Sequence, residues 1–187
     1  SLILLKYCIS HAYDEKFDTE EIAPLAKADG MYFLELFHGK TIAFKDMALQ
    51  ILPYLLTASL KKCGEQRQVC ILVATSGDTG KAAMEGFHDV PGTRITVFYP
   101  YGGVSAVQQA QMATQEGTNV RVCAVRGNFD DAQTGVKRVF SDTAIAAELA
   151  KRHEGNYHVL RGKPTSEVLF ALQSHEIRRI ARHEECV

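Results

Sequence analysis

Gln68-Val-Cys-Ile-Leu-Val-Ala74-Thr-Ser-Gly77-Asp-Thr-Gly80-Lys-Ala-Ala83 is the stretch that decides the fold. Residues 68–74 form a short apolar run with a Val-Cys-Ile-Leu-Val centre. They lead directly into a loop of hydroxyls, glycines and one carboxylate, and a helical pattern over 79–87 follows. A run of this length reads as a strand buried on both faces, and the glycines supply the turn. A strand that feeds a helix in this way is the unit of alternating β/α architecture. The helix start offers unpaired N–H groups and partial positive charge, so residues 76–80 are a candidate cradle for an anion. The plainer reading is a capped helix start, with Ser76 or Asp78 as N-cap. Both readings need the same geometry.

The same alternation continues outward. Residues 93–99 read as a strand and 105–115 as a helix capped by Ser105. A strand at 119–125 and a helix at 129–140 follow, and Ser141-Asp142 caps a further helix to about 153. Upstream, 31–37 reads as a strand and 44–62 as a helix that Gly64 ends and Pro53 kinks. Residues 1–30 read as a helical lead-in with a break at Pro24 and a turn at Asp29-Gly30. Short connections between alternating elements predict a parallel sheet covered by helices on both faces. After residue 155 the rhythm stops. A strand at 157–160 and a helix at 166–183 fit the pattern, but the last stretch is crowded with Arg, His and Glu.

Composition narrows the function. With 187 residues, 46% of them hydrophobic, the chain is expected to form one domain or one large lobe. A formal net charge of -1 gives no electrostatic case for nucleic acid or an anionic membrane. No apolar run approaches the roughly 20 residues that a spanning helix needs. Ser1-Leu-Ile-Leu-Leu5 is soon interrupted by Lys6, which argues against a signal peptide. The missing initiator Met suggests a natural N-terminus further upstream. Cys8, Cys63, Cys70, Cys123 and Cys186 are scattered and odd in number. They predict neither a metal site nor a disulfide framework and fit a reducing cytoplasm, with Cys70 and Cys123 expected to be buried in strands.

A second junction carries a lysine: Leu36-Phe-His-Gly-Lys40-Thr-Ile-Ala-Phe-Lys45-Asp46. Most lysines are solvated surface groups. Lys45 differs because it follows a Gly-containing turn and enters a helix flanked by apolar residues. Desolvation and a helix N-terminus both favour the neutral amine that forms imines, unless Asp46 offsets them. Spacing alone does not separate Lys45 from Lys40. An amine beside an anion cradle suggests Schiff-base chemistry on an anionic cofactor or substrate. Two near-misses fall away. Gly77–Lys81 has two residues between its glycines, where a P-loop has four, and 38–41 lacks the first glycine.

At these motifs the chain closely resembles the threonine synthases, pyridoxal-phosphate enzymes of the tryptophan-synthase-β-like fold. Their lysine motif, Glu-Leu-Phe-His-Gly-x-Thr-x-Ala-Phe-Lys-Asp, is matched by residues 35–46, and their Ala-Thr-Ser-Gly-Asp-Thr-Gly loop by 74–80. Further matches are Tyr99-Pro100, the Gly103-Val-Ser105 turn with Gln108 and Gln111, and 127–133 leading to Val136-Lys137. Over about 13–149 the motifs come in the family's order.

The resemblance implies a fold-type-II catalytic domain, present in part. Its N-terminal part would span 31–154, after a lead-in at 1–30 and before an atypical tail at 155–187. It implies that Lys45 is the Schiff-base lysine and proton shuttle, and that Ser76, Gly77, Asp78, Thr79 and Gly80 bind the cofactor ring oxygen or the substrate carboxylate. The implied cofactor is pyridoxal 5'-phosphate. The implied reaction converts O-phospho-L-homoserine and water to L-threonine and phosphate, with no metal.

Two departures stand out. Lys40 sits where the family often has a small residue or proline, which could bring an extra cation near the site. The family also continues beyond residue 149 into the rest of the catalytic domain, with the loop for the cofactor phosphate. Residues 127–130, with a single glycine, are not that loop. The competing expectation is a catalytically silent α/β module that binds an anion or a protein partner. The sequence leaves the oligomeric state open.

Overall fold

The computed structural model describes residues 2–66, 68–144 and the pair 157–158. Its centre is a parallel sheet of order β5-β4-β3-β6, made of β3 (Gln68–Ala74), β4 (Thr93–Pro100), β5 (Val120–Val125) and the two-residue β6 (Tyr157–His158). Alternation sets the register. Val69, Ile71 and Val73 of β3 are buried on one face, beside Ile95 and Val97 of β4. Around them close α3 (Leu52–Cys63), α4 (Asp78–Phe87) and α5 (Ala106–Ala113), with Leu52, Leu56, Met84, Phe87 and Met112 in a single apolar cluster.

Chain direction fixes which helix covers which face. The steps from β3 to β4 and from β4 to β5 run the same way across the sheet, so right-handed crossovers put α4 and α5 on one face. The chain then returns past β3 to β6. The same handedness puts α6 (Phe129–Ser141), which lies against β3 and β4, on the opposite face. The expected two-sided parallel sheet is present.

Three expectations change. The lead-in is helical only over α1 (Leu2–Ala12) and also contains a strand, β1 (Leu25–Ala28), paired antiparallel with β2 (Met31–Leu34). The two-residue link, Asp29 at φ 49° and Gly30 at φ 79°, supplies the two positive φ values that a tight hairpin needs. The predicted helix at 44–62 is broken rather than kinked, into α2 (Asp46–Leu49) and α3. Pro53 is the cause. It has no N–H for the Leu49 carbonyl four residues back, so the helix restarts with Pro53 in its first turn, where nothing is lost. The freed Leu49 carbonyl faces Gly86 of α4, and a Cβ there would collide with it. Cys123 is exposed on strand β5 and Cys70 is half-buried, whereas among the described cysteines Cys8 is the fully buried one. Cys186, most of the predicted helix to 153, residues 159–160 of the predicted strand and the helix at 166–183 lie outside the described residues.

Candidate active site

In open parallel sheets, ligands sit outside the carboxyl ends of the strands where the strand order reverses. Here the reversal is at β3, with β4 on one side and β6 on the other. The loop that leaves β3 is 75–77, and α4 starts at its end.

Thr75 organises this loop. Its hydroxyl is buried and accepts from Gly77 N at 3.1 Å and Gly80 N at 2.9 Å. It also donates to the Gly77 carbonyl at 3.2 Å. The N-cap position therefore belongs to Gly77, and neither Ser76 nor Asp78 caps α4 by its side chain. Gly77 has φ 156°, a backbone region open mainly to glycine. The amide of Gln108 fills the space where a Gly77 side chain would stand, while Gln108 Oε1 accepts from Ser105 N in the capping box of α5. The loop is thus held from below by Thr75 and from the side by α5.

Lys45 is at the N-cap of α2. Its ammonium donates to Asp78 Oδ2 at 3.0 Å and lies 4.2 Å from the centroid of the Phe44 ring. Asp78 uses its other oxygen to accept from Thr79 N at 2.9 Å. Segments 33 residues apart are therefore joined by one ion pair at the reversal point. Gly77 and Gly80 are buried in the loop, Thr79 is half-buried beside Asp78, and Ser76 is exposed at the rim.

Asp46 does not neutralise Lys45. It is buried and turns back to accept from Thr41 N at 2.8 Å and Thr41 Oγ1 at 2.7 Å. Burial pushes its carboxyl above the usual range, and the Thr41 hydrogen bonds oppose that only in part. Its role is to close the 39–46 turn that delivers Lys45. The side chain fills the space beside Gly39.

Lys40 is not beside Lys45 either. It is half-exposed and 3.6 Å from Glu85, seven residues and so about 10 Å further along α4 than Asp78. Glu85 also meets Lys81, which reaches Gln115 as well. Burial would raise the Glu85 carboxyl, but Lys81 and Lys40 hold it below its usual value. This cluster borders a cavity of about 520 Å³ at the far end of α4, lined also by Gln50, Tyr54 and His88. None of the predicted site residues lines it.

Three contributors stand inside the quoted motifs, but the sequence assigned them no role. Thr75 lies inside the quoted motif but belongs to the strand's end as much as to the loop. Gln108 is near the loop only through the fold. His38 is bridged between Asp18 at 2.5 Å and Glu35 at 2.9 Å, and the Glu35 bond, followed by Asp18, raises it above the usual histidine value. It ties the segment before the lysine turn to the loop after α1.

Residues 127–130 hold no anion cradle. Asn128 caps α6 in a reciprocal box with Asp131, and Asp130 and Asp131 make this helix start negative. Among the described residues no group of three or more His, Cys, Asp or Glu is placed to hold a metal, and no helix is long and apolar enough to cross a membrane.

No family model matches the chain. Among curated proteins it is 48% identical to the threonine synthase of Pseudomonas aeruginosa over 127 residues, which is 67% of this chain and 27% of that protein. With the threonine synthase of Saccharomyces cerevisiae it shares 38% identity over 149 residues, 74% of this chain and 29% of that protein. Among solved structures, PLP-bound threonine synthase from Brucella melitensis superposes with a TM-score of 0.71 at 31% identity, covering 97% of this chain and 38% of that one. The chain spans less than a third of the length of these curated relatives. It is a homologue of the threonine synthases, corresponds to a part of them, and shares their type II, tryptophan-synthase-β-like fold.

Proposed function

We propose that this chain, as a threonine synthase homologue, carries the cofactor-bearing lysine and the adjoining anion loop of a pyridoxal-phosphate enzyme. The whole protein would convert O-phospho-L-homoserine and water to L-threonine and phosphate. The observation that carries the reading is the 3.0 Å contact between Lys45 and Asp78 at the strand-order reversal. The donor set fits the cofactor in part. A primary amine for covalent attachment stands beside a helix start with hydroxyls on Ser76 and Thr79. The cofactor would supply an electron sink conjugated to the substrate's α carbon.

The chain's own residues have definable tasks. Lys45 would hold the cofactor covalently through its amine and, when free of it, would carry protons at the substrate's α and β carbons. An attacking amine must be free of its ammonium contact, so Asp78 has to yield Lys45 during loading. Asp78 is then available to orient Thr79 through the Thr79 N–H. Ser76, Gly77, Thr79 and Gly80 would face the substrate carboxylate or the ring oxygen, on the loop that Thr75 fixes. Nothing in this reading calls for nucleic acid or a membrane, and five scattered cysteines without paired spacing fit a cytoplasmic setting.

The test is covalent trapping. Mixing the purified chain with pyridoxal phosphate should give a visible imine band, and borohydride reduction followed by peptide mapping should find the label on Lys45. Lys45→Ala should abolish it and Lys40→Ala should leave it. Label on Lys40 or Lys81 would overturn the assignment. The chain by itself should release no phosphate from O-phospho-L-homoserine, because the negative start of α6 offers no phosphate cradle. Steady release that is lost on Lys45→Ala would show the site complete within these 187 residues.

A further inference from the structure

The cavity of about 520 Å³ at the far end of α4 takes no part in the chemistry proposed above, and its polar wall is unevenly satisfied. Gln50 lines it, is 3% exposed, and has no hydrogen-bond partner for Nε2 among the described residues. Folded interiors rarely leave a buried amide donor without an acceptor, because its lost hydration is not replaced. The last torsion of a glutamine is soft and two-fold, so the NH2 group can turn into the cavity. The acidic groups around it already have donors. Glu85 meets Lys81 and Lys40, and Asp89 accepts from Thr118 N at 2.8 Å and Thr118 Oγ1 at 2.9 Å. Lys16 is engaged by Asp14 and by the His11 carbonyl. Lys40 is the opposite case, half-exposed and 3.6 Å from Glu85, which is longer than a hydrogen bond. The cavity is therefore short of an acceptor, and a cation stands at its mouth.

We propose that this cavity is a second ligand site, for a small carboxylate with an apolar body. One carboxylate oxygen accepts from Gln50 Nε2 and the other pairs with Lys40, a charge-assisted contact. Tyr54 offers apolar surface to the rest of the molecule, and the volume lies in the range of small-molecule pockets. The site gives Lys40, where the lysine motif departs from the family pattern, a task away from Lys45. Gln50 is also the C-cap of α2, and Lys45 is the N-cap. The ligand thus sits at the opposite end of a four-residue helix from the lysine. The inference goes beyond the pyridoxal-phosphate reading and does not rest on it, because neither Lys45 nor the loop after β3 lines the cavity.

The experiment measures benzoate binding to the purified 187-residue chain, with benzamide as the uncharged control. Ligand-observed NMR reads the affinity and thermal unfolding reads the stabilisation. Benzoate should bind in the millimolar range and raise the unfolding midpoint, and benzamide should bind about tenfold more weakly. Lys40→Ala, at a half-exposed position that leaves the fold intact, should weaken benzoate about tenfold. Gln50→Leu should weaken it similarly, yet should not lower the midpoint of the ligand-free chain, since its Nε2 has no partner to lose. Lys45→Ala should leave benzoate binding unchanged. Binding that Lys45→Ala removes and Lys40→Ala spares would put the anion at the loop after β3 and overturn the proposal. No benzoate binding, equal binding of benzamide, or a marked loss of ligand-free stability in Gln50→Leu would overturn it too. Covalent trapping on Lys45 is read separately, so either result can fail alone.

Discussion

The β3–β4–α4 core and the β1–β2 hairpin are both β structure, yet they stand at opposite ends of self-sufficiency. In the core each strand residue has a neighbour: Val69, Ile95 and Val97 are fully buried, and Phe87 closes over them from α4. In the hairpin the backbone is paired but the side chains are not covered. Hydrogen bonding alone makes a ribbon, and burial makes a fold. The difference separates side chains that the described residues bury from side chains that they leave exposed.

The largest effect should come from the core. Phe87→Ala empties a fully buried site and should cost about 3–5 kcal/mol in chemical denaturation. A loss below about 1 kcal/mol would mean that the core is looser than its burial implies. Thr75→Val keeps the shape of the side chain but leaves the Gly77 and Gly80 amides without their acceptor, for about 1–3 kcal/mol. Asn128→Ala removes one cap from α6 and should cost about 1 kcal/mol. Phe33→Ala in the hairpin should fall within about 0.5 kcal/mol. A large loss there would erase the contrast between the two regions.

Acid should act on the core side of the comparison as well. Folding holds Glu85 below its ordinary value of 4.5, so the folded chain keeps it ionised where the unfolded chain protonates it. Its stabilisation is therefore fully present above that value and is lost as pH falls through the lower folded value. Glu85→Gln should flatten that part of the stability–pH curve. An unchanged curve would show that the Lys81 and Lys40 contacts contribute nothing.

Sequence legibility follows the same divide. β3, β4, α5 and α6 could be read because apolar alternation, a capping Ser105 and short connections all pointed the same way. β1 was hidden because Leu-Ala-Lys-Ala has no strand signature of its own and gains its conformation from pairing with β2. The break between α2 and α3 was visible as Pro53 but was underestimated, because its force depends on α4 taking the orphaned Leu49 carbonyl's side. At the site, the lysine and the loop were legible as motifs, whereas their mutual distance was not. Asp46 illustrates the limit. Its place beside Lys45 in sequence suggested an electrostatic brake, and its direction in space makes it the clasp of a turn.

Gly86 leaves one consequence for how this region can change over time. Because it has no side chain, α2 rests directly on α4, and the helix that begins at Lys45 is gauged against the helix that begins with Asp78. Any added carbon at Gly86 would act as a shim and push α2 outward. The two halves of the site can therefore drift in sequence only as a matched pair, with the gap between them set by a residue that touches neither chemistry nor ligand.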